Sequence, residues 1–299
     1  MKLIVVGLVA VLLLAASGPP QAALAQIEGN VGAYTGKNAE GYLKPLEEGF
    51  GAALQSGMFR SAAIPSTGYH INIEVKAAFI KFGDADRKFT ASTEEGFYPA
   101  QDVEAPTVIG DTLAASVIGQ GGTVAYFPGG LDIGSLGIAV PQITVSGVNG
   151  SQVVLRYVAF DTGDTDIGKL SLFGIGARHS ISQYFEEMPV DIAAGFFWQK
   201  FKLGDSFVDA TAMTLGVQAS RQFSVVEPYL SLDYDSFKMS VDYEYGNSKP
   251  PTKLSVDFDR TNDLRIGAGV GINLGFLHLQ GEIGSGSKTS YVAGLSLGN

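Results

Sequence analysis

The side chains that most often take part in chemistry are few and scattered in this 299-residue sequence. The three histidines, His70, His179 and His278, lie far apart, and no H-E-x-x-H pattern accompanies them. That pattern places two zinc ligands one helical turn apart, with a glutamate as general base. Because no convincing catalytic arrangement replaces it, we expect the protein not to be an enzyme.

Metal and redox sites also lack their usual ligands. The sequence contains no cysteine, which excludes a disulfide scaffold and any metal or redox centre built on thiolates. Asp161, Asp164 and Asp166 cluster beside Gly163, but their spacing differs from that of a calcium-binding loop. This cluster is typical of a solvated turn between two strands, so we expect neither a metal nor a cofactor.

The remaining ionisable side chains become informative through an alternating pattern. In residues 264–274 apolar side chains occupy every second position, and Arg265 shares the opposite face with small residues. A charge facing lipid at mid-bilayer costs about 2–4 kcal/mol, so in a membrane barrel the charged faces must line the lumen. The predicted lumenal residues are Arg156, Arg178, Arg265, Asp242, Glu244 and Glu282. They would form either an ion-pair network that stabilises a narrow barrel or a polar constriction that selects a permeant.

Long strands are predicted to carry these side chains. Residues 69–80 alternate strictly, and residues 87–93 are expected to return as the second strand of a hairpin. Residues 97–131 predict a long loop or plug-like segment with one or two short strands. From residue 132 onward the alternation is nearly continuous, and Asn149-Gly150 suits a type I′ turn. We predict an all-β, antiparallel transmembrane β-barrel of about twelve strands, with a range of ten to fourteen.

Tyrosines mark the ends of several apolar faces. Tyr157, Tyr243, Tyr245 and Tyr291 lie on the apolar sides of predicted strands, near their ends. They would form aromatic girdles at the membrane interfaces. The ordinary preference of tyrosine for strands explains them equally well.

The overall composition agrees with extended β-structure. The chain holds 39 glycines and only 17% charged residues, with 20 Lys and Arg against 30 Asp and Glu. A net charge of −10 disfavours binding to nucleic acid, because phosphates repel an acidic surface. A hydrophobic content of 45% excludes general disorder.

The N-terminal part differs from the rest. Residues 1–25 predict a secretory signal peptide, with Lys2 before an apolar stretch and the sequence Ala23-Leu24-Ala25 at the cleavage site. Residues 26–65 are rich in glycine and carry a weak helical pattern, which Pro45 is expected to divide into two short pieces. Residues 66–299 then form the predicted barrel.

Several short motifs resemble an uncharacterised family of bacterial outer-membrane barrel proteins found mainly in Bacteroidota-like lineages. They occur in order across residues 38–197: Asn38-Ala39-Glu40-Gly41-Tyr42-Leu43-x-Pro45, Gly49-Phe50-Gly51, Ser56-Gly57, Pro141-Gln142-Ile143, Gly147-x-x-Gly150, Leu155-Arg156-Tyr157, and Phe173 to Ile181. More distantly, the N-terminal segment before a barrel is similar to the FadL-type channels for hydrophobic compounds. In those channels a hatch fills the lumen. The resemblance implies that Asn38, Tyr42, Pro45 and Phe50 belong to such a hatch.

Together these observations predict an outer-membrane protein in contact with lipid. The leading expectation is a passive channel for small, hydrophobic molecules whose identity the sequence does not give. A second interpretation is a structural or adhesive envelope barrel with a sealed lumen. A third is a soluble, secreted β-sandwich that binds a ligand, because the last strand lacks the terminal aromatic residue that such barrels usually carry.

Overall fold

The computed structural model describes residues 26–27, 29–161, 169–204, 207–245 and 252–299. The predicted signal peptide, residues 1–25, lies outside them. So do two members of the acidic turn, Asp164 and Asp166.

The described residues form one long helix near the N-terminus followed by strands. In chain order the elements are α1 (Gly36–Gln55), β1 (His70–Lys81), β2 (Lys88–Ser92), β3 (Asp102–Pro106), β4 (Ala115–Ile118), β5 (Val124–Phe127), β6 (Ser135–Val148), β7 (Ser151–Asp161), β8 (Lys169–Ser180), β9 (Asp191–Leu203), β10 (Val208–Ser220), β11 (Val226–Tyr245), β12 (Thr252–Leu274), β13 (Leu277–Ser285) and β14 (Thr289–Gly298). Short 3₁₀ turns cover Asp84–Asp86, Gln120–Gly122 and Ser182–Tyr184.

Ten of these strands close into an antiparallel barrel, which confirms the predicted fold class at the lower end of its range. From β6 to β14 each strand pairs with the next one along the chain. β1 closes the ring, because it pairs with β14 on one side and with β6 on the other. Closure gives each barrel strand a partner on both sides over part of its length.

The predicted return of β1 over residues 87–93 is wrong. β2 pairs with β3, and β4 pairs with β5, in two small sheets that are separate from the barrel. Both sheets lie in the connection between β1 and β6, which spans residues 82–134. The predicted return is one of the two strands by which the predicted twelve exceed the ten of the barrel. The other arises because residues 227–234 and 238–245, predicted as two strands, form the single strand β11.

The two rims of the barrel differ in their connections. The short-turn rim holds the start of β1, the end of β14 and the two-residue β6–β7 turn. In that turn Asn149 and Gly150 have φ of 48° and 64°, as the predicted type I′ geometry requires. The opposite, long-loop rim carries the connection of residues 82–134.

Helix α1 continues through Pro45 instead of breaking there. A proline inside a helix removes one hydrogen bond and costs about 3 kcal/mol or more. Burial offsets this cost, because Tyr42 and Leu43 are almost fully buried on the turn before the proline. The expected division into two short helices is therefore wrong.

The polarity of the barrel wall reverses along its axis. Toward the short-turn rim the inward side chains are polar, such as Glu74 and Gln142, and the outward ones are apolar, such as Ile73. Toward the long-loop rim the inward side chains become apolar, such as Val140 and Val241. These pack with α1 and the connection of residues 82–134 into the main hydrophobic core.

Candidate functional site

The lumen is occupied by the N-terminal segment over its whole length. We call residues 36–66, which comprise α1 and the extended stretch after it, the plug. Near the long-loop rim, the Val108 N–H donates a 2.9 Å hydrogen bond to the carbonyl oxygen of Tyr42. At the short-turn rim, the Asn149 N–H donates a 3.0 Å bond to the carbonyl oxygen of Ser66. The plug therefore traverses the barrel from one rim to the other.

Glycines allow helix α1 of the plug to approach aromatic side chains closely. A Cβ atom at Gly49 would lie 2.7 Å from the Phe82 ring, and one at Gly51 would lie 2.7 Å from the Phe237 ring. Real Cβ atoms do not approach other atoms so closely. The glycine-rich composition of this segment thus follows from its tight fit against the wall.

Arg156 holds the middle of the plug. It is 1% exposed, and its Nη1 donates a 3.1 Å hydrogen bond to the carbonyl oxygen of Leu54. Gln199 donates to the same oxygen over 2.7 Å. The guanidinium also donates to Gln142 and lies 5.1 Å from the centre of the Phe197 ring. Arg156 therefore acts through hydrogen bonds and ring contact.

Arg178 holds the extended stretch after α1. Its Nη2 donates to the carbonyl oxygen of Ser61, and its guanidinium lies 4.2 Å from the centre of the Phe59 ring. Within the described residues, neither Arg178 nor Arg156 has a carboxylate at salt-bridge distance. Both guanidinium groups instead donate hydrogen bonds to carbonyl oxygens of the plug and to glutamine side chains of the barrel wall. The sequence did not predict this arrangement.

Arg265 combines plug contact with ion pairing. Its Nη2 donates a 2.8 Å bond to the carbonyl oxygen of Gln55. The same guanidinium pairs with Asp233 at 3.1 Å, Asp235 at 2.7 Å and Glu282 at 3.7 Å. This cluster is an ion-pair network of the kind that the alternating pattern suggested, and it places Glu282 in the lumen.

Asp242 and Glu244 do not face the lumen. Both are exposed on the outside of β11, whereas Val241 and Tyr243 point inward and are buried. Their predicted lumenal position is wrong because this part of β11 lies toward the long-loop rim, where the core is inside and water outside. The same reversal removes Tyr243 from the predicted outer girdle, since its hydroxyl donates a 3.0 Å bond to the carbonyl oxygen of Tyr34.

The four hatch candidates all lie on α1. Tyr42 and Pro45 are buried. Phe50 is partly buried and packs edge-on against Phe201 at 4.8 Å between ring centres. Asn38 instead forms two hydrogen bonds with the backbone of Ser92 in β2, beside the long-loop rim. The structure therefore places three candidates inside the plug and one at its outer end.

Two cavities remain beside the plug. One, of about 250 Å³, lies toward the short-turn rim and is lined by Arg60, Glu74 and His278 among others. The second, of about 230 Å³, lies beside α1 and is lined by Glu47, Arg265 and Lys288 among others. They share no lining residue, and only a small space of about 20 Å³ lies between them. The cavities are separated by packed side chains.

Some lumenal groups were missed by the sequence prediction. Glu74 and Lys76 form a buried ion pair at 2.8 Å on β1. Their places on the polar face of an alternating strand could have identified them. Glu47 is 1% exposed on α1, and its Oε1 has no hydrogen-bond partner in the described part of the chain. Burial and the neighbouring Glu48 raise the pKa of Glu47 to about 7, against the opposing effect of Lys44 and Lys288.

His179 is less isolated than its place in the sequence indicates. Its Nδ1 lies 2.9 Å from Ser151 Oγ, and its Nε2 lies 2.8 Å from the amide nitrogen of Gln183. The Tyr184 hydroxyl lies 2.7 Å from the same Nε2. His179 therefore belongs to a hydrogen-bonded group with Ser151, Gln183 and Tyr184 at the short-turn rim.

A second serine lies in a sequence that resembles a nucleophile elbow. Residues 294–298 read Gly-Leu-Ser-Leu-Gly, which matches G-x-S-x-G. An elbow needs a sharp turn from a strand into a helix. Ser296 instead lies within β14, 2% exposed, and its hydroxyl contacts Asn72. This geometry does not present the hydroxyl to a substrate.

Aromatic rings border the apolar outer face at both ends. Toward the long-loop rim the outward rings are Phe79, Tyr157, Phe173, Trp198, Tyr234 and Tyr291. At the short-turn rim the exposed rings are Tyr69, Tyr184, Phe185, Phe223 and Phe276. Tyr157 and Tyr291 occupy the outward positions expected of them, whereas the side chain of Tyr245 lies outside the described part of the chain.

Two searches of the described residues gave negative results. No helix there combines the length and apolarity needed to cross a membrane. In the same residues, no group of three or more His, Cys, Asp or Glu side chains could hold a metal ion.

Comparison with protein families identifies one match. The model of a family described as "Family of unknown function (DUF6588)" matches residues 1–299, so the chain belongs to this family. Among curated proteins, none matches the chain.

Several solved outer-membrane structures are similar at low identity. The β domain of the Bordetella autotransporter BrkA is 15% identical, with a TM-score of 0.34, over 78% of this chain and 99% of that one. The outer-membrane protease OmpT from Escherichia coli is 11% identical, with a TM-score of 0.30, over 77% and 96%. The Ralstonia pickettii toluene transporter TbuX is 11% identical, with a TM-score of 0.27, over 81% and 91%. Superpositions this poor carry no argument about the present chain.

Proposed function

We propose that this family member is an outer-membrane β-barrel whose lumen is closed by its own plug, and that it serves the cell envelope as a structural or adhesive protein. It would be exported by its signal peptide and would conduct nothing while the plug is seated. We also propose that it is not an enzyme, since the serine in the elbow-like sequence, Ser296, lies buried within a strand. The observation that carries the proposal is the plug itself, which fills the lumen from rim to rim.

The outer face supports the membrane location. Large apolar side chains such as Ile73, Leu230 and Ile266 are at least half exposed on the barrel wall. From Tyr69 to Phe79 the strand covers about 33 Å, which is about 25 Å along the axis for strands tilted by ~40°. The apolar band of outer-membrane barrels has this height, and aromatic girdles flank it in the same way.

The buried contacts of the plug support a closed state. Helices with their side chains are about 10–12 Å across, which leaves little free width inside a barrel of ten strands. Arg156, Arg178 and Arg265 each donate to a plug carbonyl from the wall. Two of these bonds hold the end of α1, and the third holds the extended stretch after it.

The membrane location is tested by cell fractionation combined with heat-shift electrophoresis. The proposal expects the protein in the outer-membrane fraction, with a folded band that migrates differently from the boiled one. A protein found wholly in the soluble fraction, without such a band, would favour the secreted β-sandwich instead.

The closed lumen is tested by conductance in planar bilayers. We expect the folded wild-type protein at pH 5 to give long silent periods, broken at most by brief events. A steady open conductance at pH 5 would contradict the closed barrel. It would favour an open channel for small molecules.

A gated channel is the second candidate. Polar contacts hold the end of α1 and the extended stretch after it, and free space lies beside the plug. A hydrogen bond from a charged side chain to a plug carbonyl can be exchanged for one to water at a net cost of about 1.5–3 kcal/mol. The cavities of about 250 and 230 Å³ would become continuous if the plug shifted between them. Frequent, reversible openings of the wild-type protein would favour this candidate over a purely structural barrel.

A further inference from the structure

Glu47 is buried in the plug without a partner for one of its oxygens. The residue is 1% exposed, on the part of α1 that packs beside β1 and β11. Among the described residues its Oε1 has no hydrogen-bond partner, although most buried polar groups in proteins have one, and the side chain borders the cavity of about 230 Å³ beside α1. An ionised carboxylate is costly in such a place, so the plug fits best when this side chain is protonated.

The charged groups around Glu47 are already engaged with one another. On α1, Glu48 pairs with Lys44 at 3.3 Å and with Lys288 of the β13–β14 connection at 3.0 Å. Lys288 also binds Asp86, which follows β1. On the wall strands, Arg265 pairs with Asp235 at 2.7 Å. Asp263 accepts a hydrogen bond from the backbone of Ser287. Among the described residues, none of these groups forms a salt bridge with Glu47.

We propose that Glu47 is a proton-operated latch on the plug: its protonated side chain keeps α1 seated, and its ionisation loosens the helix so that the lumen opens more often. The latch rests on the proposed closed barrel and adds a regulation to it. When α1 moves, the carboxylate of Glu47 reaches water and no longer needs a partner.

The direction of the pH effect follows from the two states. The pKa of Glu47 is about 7 in the seated plug and returns to its ordinary 4.5 once the side chain is solvated. Protonated Glu47 therefore contributes fully to the stability of the seated plug below pH 4.5. This contribution is progressively lost as the pH rises to about 7. Between pH 5 and pH 7.5 the ratio of open to closed lumen should increase roughly 50-fold.

The test is single-channel recording of the full-length protein between pH 5 and pH 7.5. We expect rare events at pH 5 and a roughly 50-fold higher opening frequency at pH 7.5. Glu47→Gln, which stays neutral, should abolish this dependence. The matched control Glu40→Gln should retain it, because Glu40 is exposed on the same helix and makes no contribution to the pKa of Glu47.

The outcomes separate the latch from the closed barrel. A wild-type protein that is silent at pH 5 but equally silent at pH 7.5 overturns the latch and leaves the closed barrel intact. So does a folded Glu47→Gln variant with the pH dependence of the wild type. Steady conduction at pH 5 overturns the closed barrel.

A second measurement does not depend on any variant. The temperature of the heat-induced mobility shift of the wild-type protein should fall between pH 5 and pH 7.5. An unchanged or rising temperature overturns the latch.

Discussion

Arg156 offers the sharpest test of how the plug is held. In Arg156→Met the side chain keeps much of its bulk but loses the charged hydrogen bond to the carbonyl oxygen of Leu54. That oxygen retains the bond from Gln199, so it is not left unsatisfied. A hydrogen bond from a charged donor contributes about 1.5–3 kcal/mol.

The loss of this bond translates into a measurable change in gating. Each 1.4 kcal/mol is a factor of ten, so the open-to-closed ratio should rise about 10- to 150-fold. Single-channel recording at one fixed pH measures this ratio, and heat-shift electrophoresis shows that the variant is folded. Arg221→Met is the matched control, because Arg221 is exposed in the β10–β11 connection and stacks on Phe223. We expect it to change the ratio less than twofold. A folded Arg156→Met variant as silent as the wild type would refute the assigned role of Arg156.

Two further substitutions test the plug fit and the membrane belt. Gly51→Ala places a Cβ 2.7 Å from the Phe237 ring and should lower plug stability by about 1–3 kcal/mol, seen as a lower heat-shift temperature. Gly29→Ala, with no neighbour within 4 Å, should have little effect, and equal effects of the two would contradict the tight fit. Ile266→Arg, on the outer wall, should destabilise the barrel by about 2–4 kcal/mol in urea titrations in lipid vesicles. Asp242→Arg should lower the stability of the barrel by less than about 1 kcal/mol in the same assay. A larger loss at Asp242 than at Ile266 would place the lipid-facing band of the barrel elsewhere.

The alternating pattern predicted the barrel wall well, and it failed where the surroundings change along a strand. In β11 the apolar residues Leu230 and Leu232 point outward, whereas Met239 and Val241 point inward. The pattern predicts residues 238–245 as a separate strand with its apolar face outward, which places Asp242 in the lumen. The switch of apolar residues from even to odd positions within one strand was the available signal that the apolar face passes from the outside of the barrel to the inside.

The plug contacts were less predictable, for a physical reason. Arg156, Arg178 and Arg265 bind the carbonyl oxygens of Leu54, Ser61 and Gln55, and every residue has such an oxygen. Sequence therefore identifies the donors on the wall but gives no signal for the acceptors on the plug. It also suggested carboxylate partners for all three arginines, and within the described residues only Arg265 has them.

The path of residues 36–66 through the lumen is the central claim, and cysteine labelling of its two ends tests it most directly. The chain has no native cysteine, so single substitutions report without background. Lys37 is exposed near the long-loop rim and Thr67 is exposed at the short-turn rim. A membrane-impermeant maleimide should label Lys37→Cys on intact cells, but Thr67→Cys only after the outer membrane is permeabilised. Labelling of both positions from the same side of the membrane would contradict a plug that traverses the barrel.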